Sequence, residues 1–413
     1  MLDQNYLRNK FNRIRQQTID LTKPLEIEDY VAQPVSNVSP PKWHLAHTTW
    51  FFEAFILIPF KHNYEAFHQA YNYLFNSYYK GAGDMWPRDK RGWITRPTVN
   101  DILHYRKYVN EQFDDFLREY HGESTEIQKL IELGLNHEQQ HQELLLYDMK
   151  YILGNNPIYP AYHESADEIP ENLTSPEWLD IDCGQVDIGY EGHQFSFDNE
   201  HARHRVFLEP YSIMNRQVTN GEYLEFMQDK GYDRFDLWLD DGWNWLHKEK
   251  ITHPLYWRYF NGKWFEYQLN GLQELRLDAP VMHVNYYEAD AFARWKGLRL
   301  PSEAEWEVAC NVYSPVISEQ ANLMDKELFR SAPAAEHQFF GDTWEWTGSA
   351  YLPYPGFKTP KGAVGEYNGK FMINQMVLRG GSAATARDHI RSTYRNFFYP
   401  EQRWMFSGIR LAK

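Results

Sequence analysis

The sequence predicts a helical bundle followed by a loop-rich α+β domain, and three observations lead there. At 413 residues the chain exceeds one ordinary compact domain of roughly 100–200 residues. Up to Leu153, apolar residues recur at spacings of three and four, the period of a helix. Beyond Leu153 the helical period gives way to short apolar runs, scattered glycines and many aromatic residues. Between the two regimes lies an acidic, polar stretch broken by Pro157, Pro160, Pro170 and Pro176, which reads as a linker. The expected boundaries are 1–153 for the bundle, 154–176 for the linker and 177–413 for the second domain.

Four segments carry the helical period: residues 3–21, 38–57, 99–120 and 125–153. Thr98 and Ser124 stand where N-caps of the last two would sit. Four helices with a long connection after the second predict a four-helix bundle. In the second domain the pattern predicts helices over 220–228 and 286–295.

Composition excludes several classes of function. Hydrophobic residues make up 43% and charged residues 24%, enough to bury a core, so the chain is not disordered. With 42 Lys+Arg against 57 Asp+Glu the net charge is −15, which repels phosphate backbones and argues against nucleic-acid binding. The strongest apolar run, near residues 54–60, falls far short of the ~20 residues that span a bilayer, so no membrane partner is expected. Residues 1–21 are polar and hold several Arg and Lys, without the apolar core of a secretory signal. Two cysteines, Cys183 and Cys310, make no disulfide framework. These features together predict a cytoplasmic protein.

The strongest chemical signal is His137-Glu138-Gln139-Gln140-His141. Histidines at i and i+4 lie one above the other on a helix and can share a metal ion. Ile127, Leu130, Ile131, Leu144 and Leu145 lie on the same face, so the pair is expected to point into the bundle. The pentad also fits the zinc-protease pattern, in which Glu138 would be the general base; a third ligand would then have to come from Glu164 or Glu168. The second helix offers a better third ligand, because Trp43-His44-Leu45-Ala46-His47 holds two histidines three apart. Three neutral imidazoles leave the ion its full charge and open positions, and spacing alone does not separate zinc from iron.

In the second half, Val218-Thr219-Asn220, the run Arg299-Leu300-Pro301-Ser302-Glu303 with Ala304-Glu305-Trp306-Glu307, Gly341-Asp342-Thr343-Trp344-Glu345-Trp346-Thr347 and Leu378-Arg379-Gly380-Gly381-Ser382 occur in order. They resemble the signature blocks of the formylglycine-generating-enzyme (sulfatase-modifying factor) fold, a C-type-lectin-like α+β domain. Those enzymes need cysteines in their C-terminal part. No cysteine follows Cys310 here, so the resemblance implies a scaffold and not that activity.

The histidines of the bundle followed by this scaffold resemble the iron-dependent, EgtB-like sulfoxide synthases of ergothioneine biosynthesis, which pair a DinB-like bundle with a formylglycine-enzyme-like domain. The resemblance implies an oxidoreductase that uses non-haem Fe(II) and O2 to join a thiol sulfur to the imidazole carbon of hercynine, the trimethylammonium derivative of histidine. By motif, His47, His137 and His141 would be the iron ligands and Gln140 would contact hercynine; His44 has no family role and is read as structural. Asn396 and Phe397 occupy the positions that hold hercynine, and Phe398 belongs to the same loop. One branch of the family places charged partners for a γ-glutamyl thiol where Phe398 and Gln402 stand here, so free cysteine is the expected thiol. That second branch carries a pair like Tyr78-Tyr79 near the iron, which makes these two tyrosines candidates for proton delivery, with Tyr367 or a water as substitutes. In Pro87-Arg88-Asp89-Lys90-Arg91-Gly92, Arg88 and Arg91 would grip the cysteine carboxylate. The same scaffold allows an ovothiol-type or selenoneine synthase. More distant readings are a metal-dependent thiol transferase or hydrolase, and a lectin-like binding module without catalysis.

Overall fold

The structure, a computed structural model, describes residues 4–120, 124–164, 174–333, 337–360 and 363–413. The chain divides into two compact units, one formed by Met1–Ile158 with Pro360–Tyr367 and one by Tyr159–Thr359 with Asn368–Lys413. The expected class holds: a helical bundle is followed by a sheet-containing α+β domain. No described helix is long and apolar enough to cross a membrane.

The first unit is built on helices Gln4–Asp20, Pro41–Phe52, Val99–Glu119 and Thr125–Gly154. Both expected caps are present. Thr98 accepts the Asp101 N–H while the Asp101 carboxylate takes the Thr98 N–H, and Ser124 Oγ accepts the Ile127 N–H. The second helix begins at Pro41 rather than at 38, because proline suits the first turn, where no N–H is needed. It passes after Phe52 into a wider π turn, Glu53–Leu57. Every residue of Pro41–Phe52 is buried, as a helix enclosed by its neighbours on all sides must be.

The second unit holds a four-stranded sheet in the order Asn396–Phe398, Met376–Arg379, Trp344–Ala350, Ser407–Gly408. The first two pairings are antiparallel and the last is parallel. Two two-stranded sheets and a three-stranded meander complete it. The two expected helices appear as Asn220–Gln228 and Tyr286–Trp295, each opened by a capping box. Asp240–Glu249 and Glu303–Tyr313 are further helices that the periodicity did not reveal. The stretch expected to be a linker is partly folded into this unit, since the Tyr162 and His163 N–H groups both donate to the Leu269 carbonyl. Residues 165–173 of that stretch, with Glu168 and Pro170, lie outside the described residues.

The signature blocks tie the unit together by charge. The Glu303 carboxylate, at a helix start, takes bonds from Arg395 Nε at 2.9 Å, Arg395 Nη2 at 3.0 Å and Arg379 Nη2 at 3.1 Å. Burial by itself would raise the Glu303 carboxyl; Arg395 and Arg379 more than offset this and hold it below its ordinary value. The unfolded chain therefore takes up that proton first as pH falls. The stabilisation is complete above the ordinary value of 4.5 and is lost below it. Glu303→Gln is expected to cost about 3–5 kcal/mol at pH 7. In denaturant titrations, its deficit relative to wild type should shrink as pH falls below that value; a deficit constant down to the acid limit would show that the carboxylate charge is not the source.

Candidate metal centre

The Thr125–Gly154 helix brings His137 and His141 to one face, and the Pro41–Phe52 helix, packed beside it, brings His47. All three are buried, and one nitrogen from each lies within 4.8 Å of the others. His47 Nδ1–H donates to the Phe75 carbonyl at 2.6 Å, which leaves its Nε2 with a lone pair. That Nε2 lies 3.2 Å from His137 Nε2, close to the spacing of about 3 Å expected for two neighbouring nitrogens on one ion. Burial keeps the imidazoles neutral: His137 is pushed down to about 3 although the Glu138 charge opposes the shift, and His47 and His141 fall well below their ordinary value. Three neutral imidazoles with converging nitrogens are a donor set that fits a divalent transition metal.

Aromatic rings close the surroundings. Trp43 stacks on His47 with centroids 4.5 Å apart, Trp50 lies on its other flank at 5.5 Å, and Phe51 sits 4.8 Å from His137.

Glu138 does not face the metal nitrogens' hydrogen-bond partners; it is engaged elsewhere. It is fully buried and accepts from Arg15 Nη1 at 2.9 Å, from Thr18 Oγ1 at 2.6 Å and from Arg106 Nη2. Burial by itself would raise its carboxyl, but Arg106 and Arg15 bring it down to about 2. Arg15 itself falls to about 10 through burial and the neighbouring Arg106, and so stays charged. A carboxylate committed to two guanidiniums is no general base, which corrects the protease alternative for Glu138. Glu164 belongs to the second unit, and Glu168 lies outside the described residues.

The other expected residues separate clearly. Arg91 is buried, with its guanidinium 3.3 Å over the Trp43 ring and donating to Ser39 Oγ and Ser77 Oγ, each at 2.8 Å. Among the described residues its Nε has no acceptor and no carboxylate forms an ion pair with it. Burial, then the Arg88 charge, lowers it well below its ordinary value. Arg88 is exposed and donates to the Asn37 carbonyl at 2.9 Å, so the structure does not pair it with Arg91 as a second buried fork.

Tyr78 is half-buried and Tyr79 is buried. Desolvation raises Tyr78 to about 12 and Tyr79 well above its ordinary value. Tyr79 packs its ring against Phe55 at 5.2 Å and Trp50 at 5.7 Å. Tyr78 instead lies 6.5 Å from the ring of Tyr367. Tyr367 comes from far along the chain but belongs to the first unit. Its ring is 5.8 Å from His137, and its hydroxyl donates to Gln140 Oε1. Glu366 fixes this segment by accepting the Gly81 N–H at 2.7 Å and the Lys80 N–H at 3.1 Å. Tyr367 is thus a more central residue than its place as a substitute implied.

Asn396, Phe397 and Phe398 lie in the second unit, on a strand paired with Met376–Arg379. Phe397 stacks on Tyr351 at 4.0 Å and 11° and lies 6.1 Å from Phe371. Phe398 meets Trp404 edge-on at 5.4 Å. Asn396 Oδ1 accepts the Phe397 N–H at 2.9 Å. Gln402 Oε1 accepts the Tyr399 N–H at 3.2 Å.

A bundle with a buried three-histidine centre, followed by an α+β scaffold of charged signature blocks, defines a class of two-domain proteins whose donor set fits a divalent metal. Residues 10–145 match the DinB superfamily, and residues 164–314 and 312–413 match the sulfatase-modifying factor enzyme 1-like domain. Hercynine oxygenase of Mycobacterium tuberculosis is 32% identical over 303 residues, spanning 67% of this chain and 70% of that protein. Hercynine oxygenase of Mycolicibacterium thermoresistibile is 31% identical over 312 residues, 67% of each. Ergothioneine biosynthesis protein 1 of Schizosaccharomyces pombe is 25% identical over 382 residues, covering 78% of this chain and 47% of that protein. The chain belongs to the hercynine oxygenase family, and it is an oxygen-dependent oxidoreductase.

Replacing Glu138 by Gln leaves two buried guanidiniums without their counter-charge, and about 3–5 kcal/mol of stability should be lost, read by denaturant unfolding of the metal-free protein. A Glu138→Gln variant as stable as wild type but catalytically dead would restore Glu138 as a reacting base.

Proposed function

We propose that the protein is a sulfoxide synthase of ergothioneine biosynthesis, joining cysteine to hercynine with O2 to give hercynylcysteine sulfoxide and water. The observation that carries this reading is the buried His47, His137 and His141 cluster in a chain of the hercynine oxygenase family. The reaction balances: one C–H and one S–H bond break, a C–S and an S–O bond form, and O2 takes the four electrons, its second oxygen leaving as water. Fe(II) on the three imidazoles would supply the O2 activation and lower the thiol pKa.

The chain's own residues do the rest. Arg91, buried and without an ion-pair partner among the described residues, is the group best suited to take the carboxylate of cysteine, since a planar guanidinium binds a carboxylate through two parallel bonds. Its stacking on Trp43, which in turn stacks on His47, fixes the fork's orientation. Arg88, exposed, contributes long-range charge. Gln140, held by the Tyr367 hydroxyl, presents an amide to the imidazole of hercynine. The Tyr351–Phe397–Phe371 stack with Asn396 offers aromatic faces suited to a trimethylammonium, which has no hydrogen to donate. Tyr78 remains protonated at neutral pH, so its Oη is a proton donor and not a base; Tyr79, packed on Phe55 and Trp50, supports it.

Anaerobic loading with Fe(II), then air, with hercynine and each candidate thiol, followed by mass spectrometry of the products, tests the reaction. The hercynylcysteine sulfoxide mass is expected. A product with sulfur on plain histidine would mark an ovothiol-type enzyme, incorporation from a selenosugar a selenoneine synthase, and no product with any thiol a different chemistry.

Phe398 and Gln402 offer no charge to a γ-glutamyl group. A carboxylate desolvated against Phe398 would lose roughly 1–3 kcal/mol. With both thiols at equal concentration, the cysteine adduct should dominate by about tenfold or more; a dominant γ-glutamyl adduct would show that other residues bind that group.

Loss of the proton donor should divert O2 toward oxidation of the sulfur alone. Tyr78→Phe and Tyr367→Phe are expected to raise the ratio of cysteine sulfinate to sulfoxide, within the roughly 10²–10⁴-fold range of general acid assistance. Tyr79→Phe should change the ratio little. Wild-type ratios and rates in the Tyr78/Tyr367 double variant would make both residues packing groups.

A further inference from the structure

His141 has a second neighbour besides the other two histidines of the cluster. Its Nδ1 lies 2.9 Å from Nδ1 of His44, and His44 Nε2 lies 2.9 Å from Asp148 Oδ2. Asp148 Oδ2 also accepts the Ser39 N–H at 2.8 Å. His44 and Asp148 are each 2% exposed, so this line of groups is shielded from solvent that would otherwise compete for it. His44 stands three residues before His47, and Asp148 stands seven after His141, two helical turns along the same face. The two helices that supply the metal nitrogens therefore also supply this second line.

The direction of its hydrogen bonds follows from the chemistry of its ends. A carboxylate only accepts, so His44 Nε2 carries the hydrogen toward Asp148. With its single ring hydrogen on Nε2, His44 presents a lone pair at Nδ1. The contact of 2.9 Å with His141 Nδ1 is then a hydrogen bond donated by His141 Nδ1; a His44 carrying hydrogens on both nitrogens would donate the other way, an outcome marked by the Nε2–H form of His141. His141 is thereby left with its lone pair on Nε2, the one nitrogen with which it can hold an ion. The opposite tautomer would set two lone pairs against each other at Nδ1 and put a hydrogen on Nε2.

We propose that Asp148 and His44 are positioning residues that fix His141 in the Nδ1–H tautomer and so keep Nε2 ready for the metal. This assigns His44 a role where the resemblance gave it none and the residue was read as structural. It rests on the reading of His47, His137 and His141 as the metal ligands. His47 is set in the same sense by a different device, the Phe75 carbonyl on its Nδ1–H. His137 Nδ1 has no such partner among the described residues, so the orientation of the centre is carried by His47 and His141.

Two measurements test it. In the full-length, metal-free protein labelled with ¹⁵N-histidine, long-range ¹H–¹⁵N spectra at neutral pH read the tautomer of His141 directly, assigned by its loss in His141→Gln. The Nδ1–H form is expected; the Nε2–H form overturns the proposal, whatever the metal affinity. In anaerobic titration with Fe(II), His44→Leu and Asp148→Leu are expected to bind about 10–100-fold more weakly than wild type, with the thermal midpoint of the metal-free protein measured alongside. Wild-type affinity in folded His44→Leu protein also overturns it. If His44→Leu does not fold, the tautomer measurement on wild type decides alone. Wild-type protein that takes up no Fe(II) sinks the metal reading, while the tautomer spectrum still reports on the His44 relay, so the two failures are distinguishable.

Discussion

The arrangement of the first unit depends on one carboxylate. Glu138, wholly buried, gathers Arg15 from the first helix, Arg106 from the third and Thr18 beside Arg15. Arg15 reaches on to Thr49 Oγ1 at 2.9 Å and Arg106 to Thr48 Oγ1 at 3.2 Å, on the second helix. Four helices are thus tied at one level, and that level adjoins the metal nitrogens: Glu138 follows His137, and Thr48 and Thr49 follow His47. A buried ion pair is weak evidence of net stability, since its desolvation cost rivals its attraction. What it supplies here is register. Apolar packing would tolerate a small slide of one helix along another, whereas a carboxylate shared by two guanidiniums tolerates none without leaving a charge unpaired.

With the helices in register, the histidines face one another without further help, and the remaining question is which nitrogen each presents. Burial keeps all three neutral, which secures a lone pair on each ring but leaves two tautomers of equal standing. Neighbouring acceptors break that tie: a backbone carbonyl at His47 and the His44–Asp148 line at His141. Position and tautomer are therefore set by separate interactions, the first by charge at Glu138 and the second by hydrogen bonds on the far side of the rings.

This division explains what could be read from the sequence. His137 and His141 were legible because i, i+4 spacing on a helix is geometry in one dimension, and the Thr98 and Ser124 caps were legible for the same reason. The match of Glu138 to a protease pattern was misleading, because the pattern records neighbours along the chain and not the arginines that arrive from other helices. His44 could have been found: His141 and Asp148 are two turns apart and His44 is one turn from His47, so a histidine and a carboxylate flank the site on the two ligand helices. Spacing does not give ring orientation, and the inference needed the 2.9 Å contacts. Tyr367 was named only as a substitute for another reason, since more than two hundred residues separate it from Gln140 and no local pattern announces a return to the first unit. In the second unit the ordered signature blocks identified the fold, and their residues prove to be its internal ties. Trp306 Nε1 donates to Glu345 at 2.6 Å, Glu345 also accepts from Arg410 Nε at 2.6 Å, and Arg299 forks onto Glu305.

The charge balance of the centre restricts what it will bind. Three neutral imidazoles add nothing to offset a divalent cation, and Glu138 is already matched by two guanidiniums. Arg91 adds a further buried positive group over Trp43. A divalent ion there would add to the Arg91 charge, and the Asp148 carboxylate, whose charge acts on Arg91, would offset part of the sum in surroundings of low dielectric, where unneutralised charge is costly. A substrate that brought a thiolate for such an ion and a carboxylate for the guanidinium would remove most of that cost in one step, and cysteine, the proposed thiol, carries both groups on adjacent carbons. A neutral thiol, or one with its carboxylate displaced along a chain, satisfies one positive group and leaves the other unmatched. The proposed preference for a small amino-acid thiol would then have a source in the charges of the bundle itself.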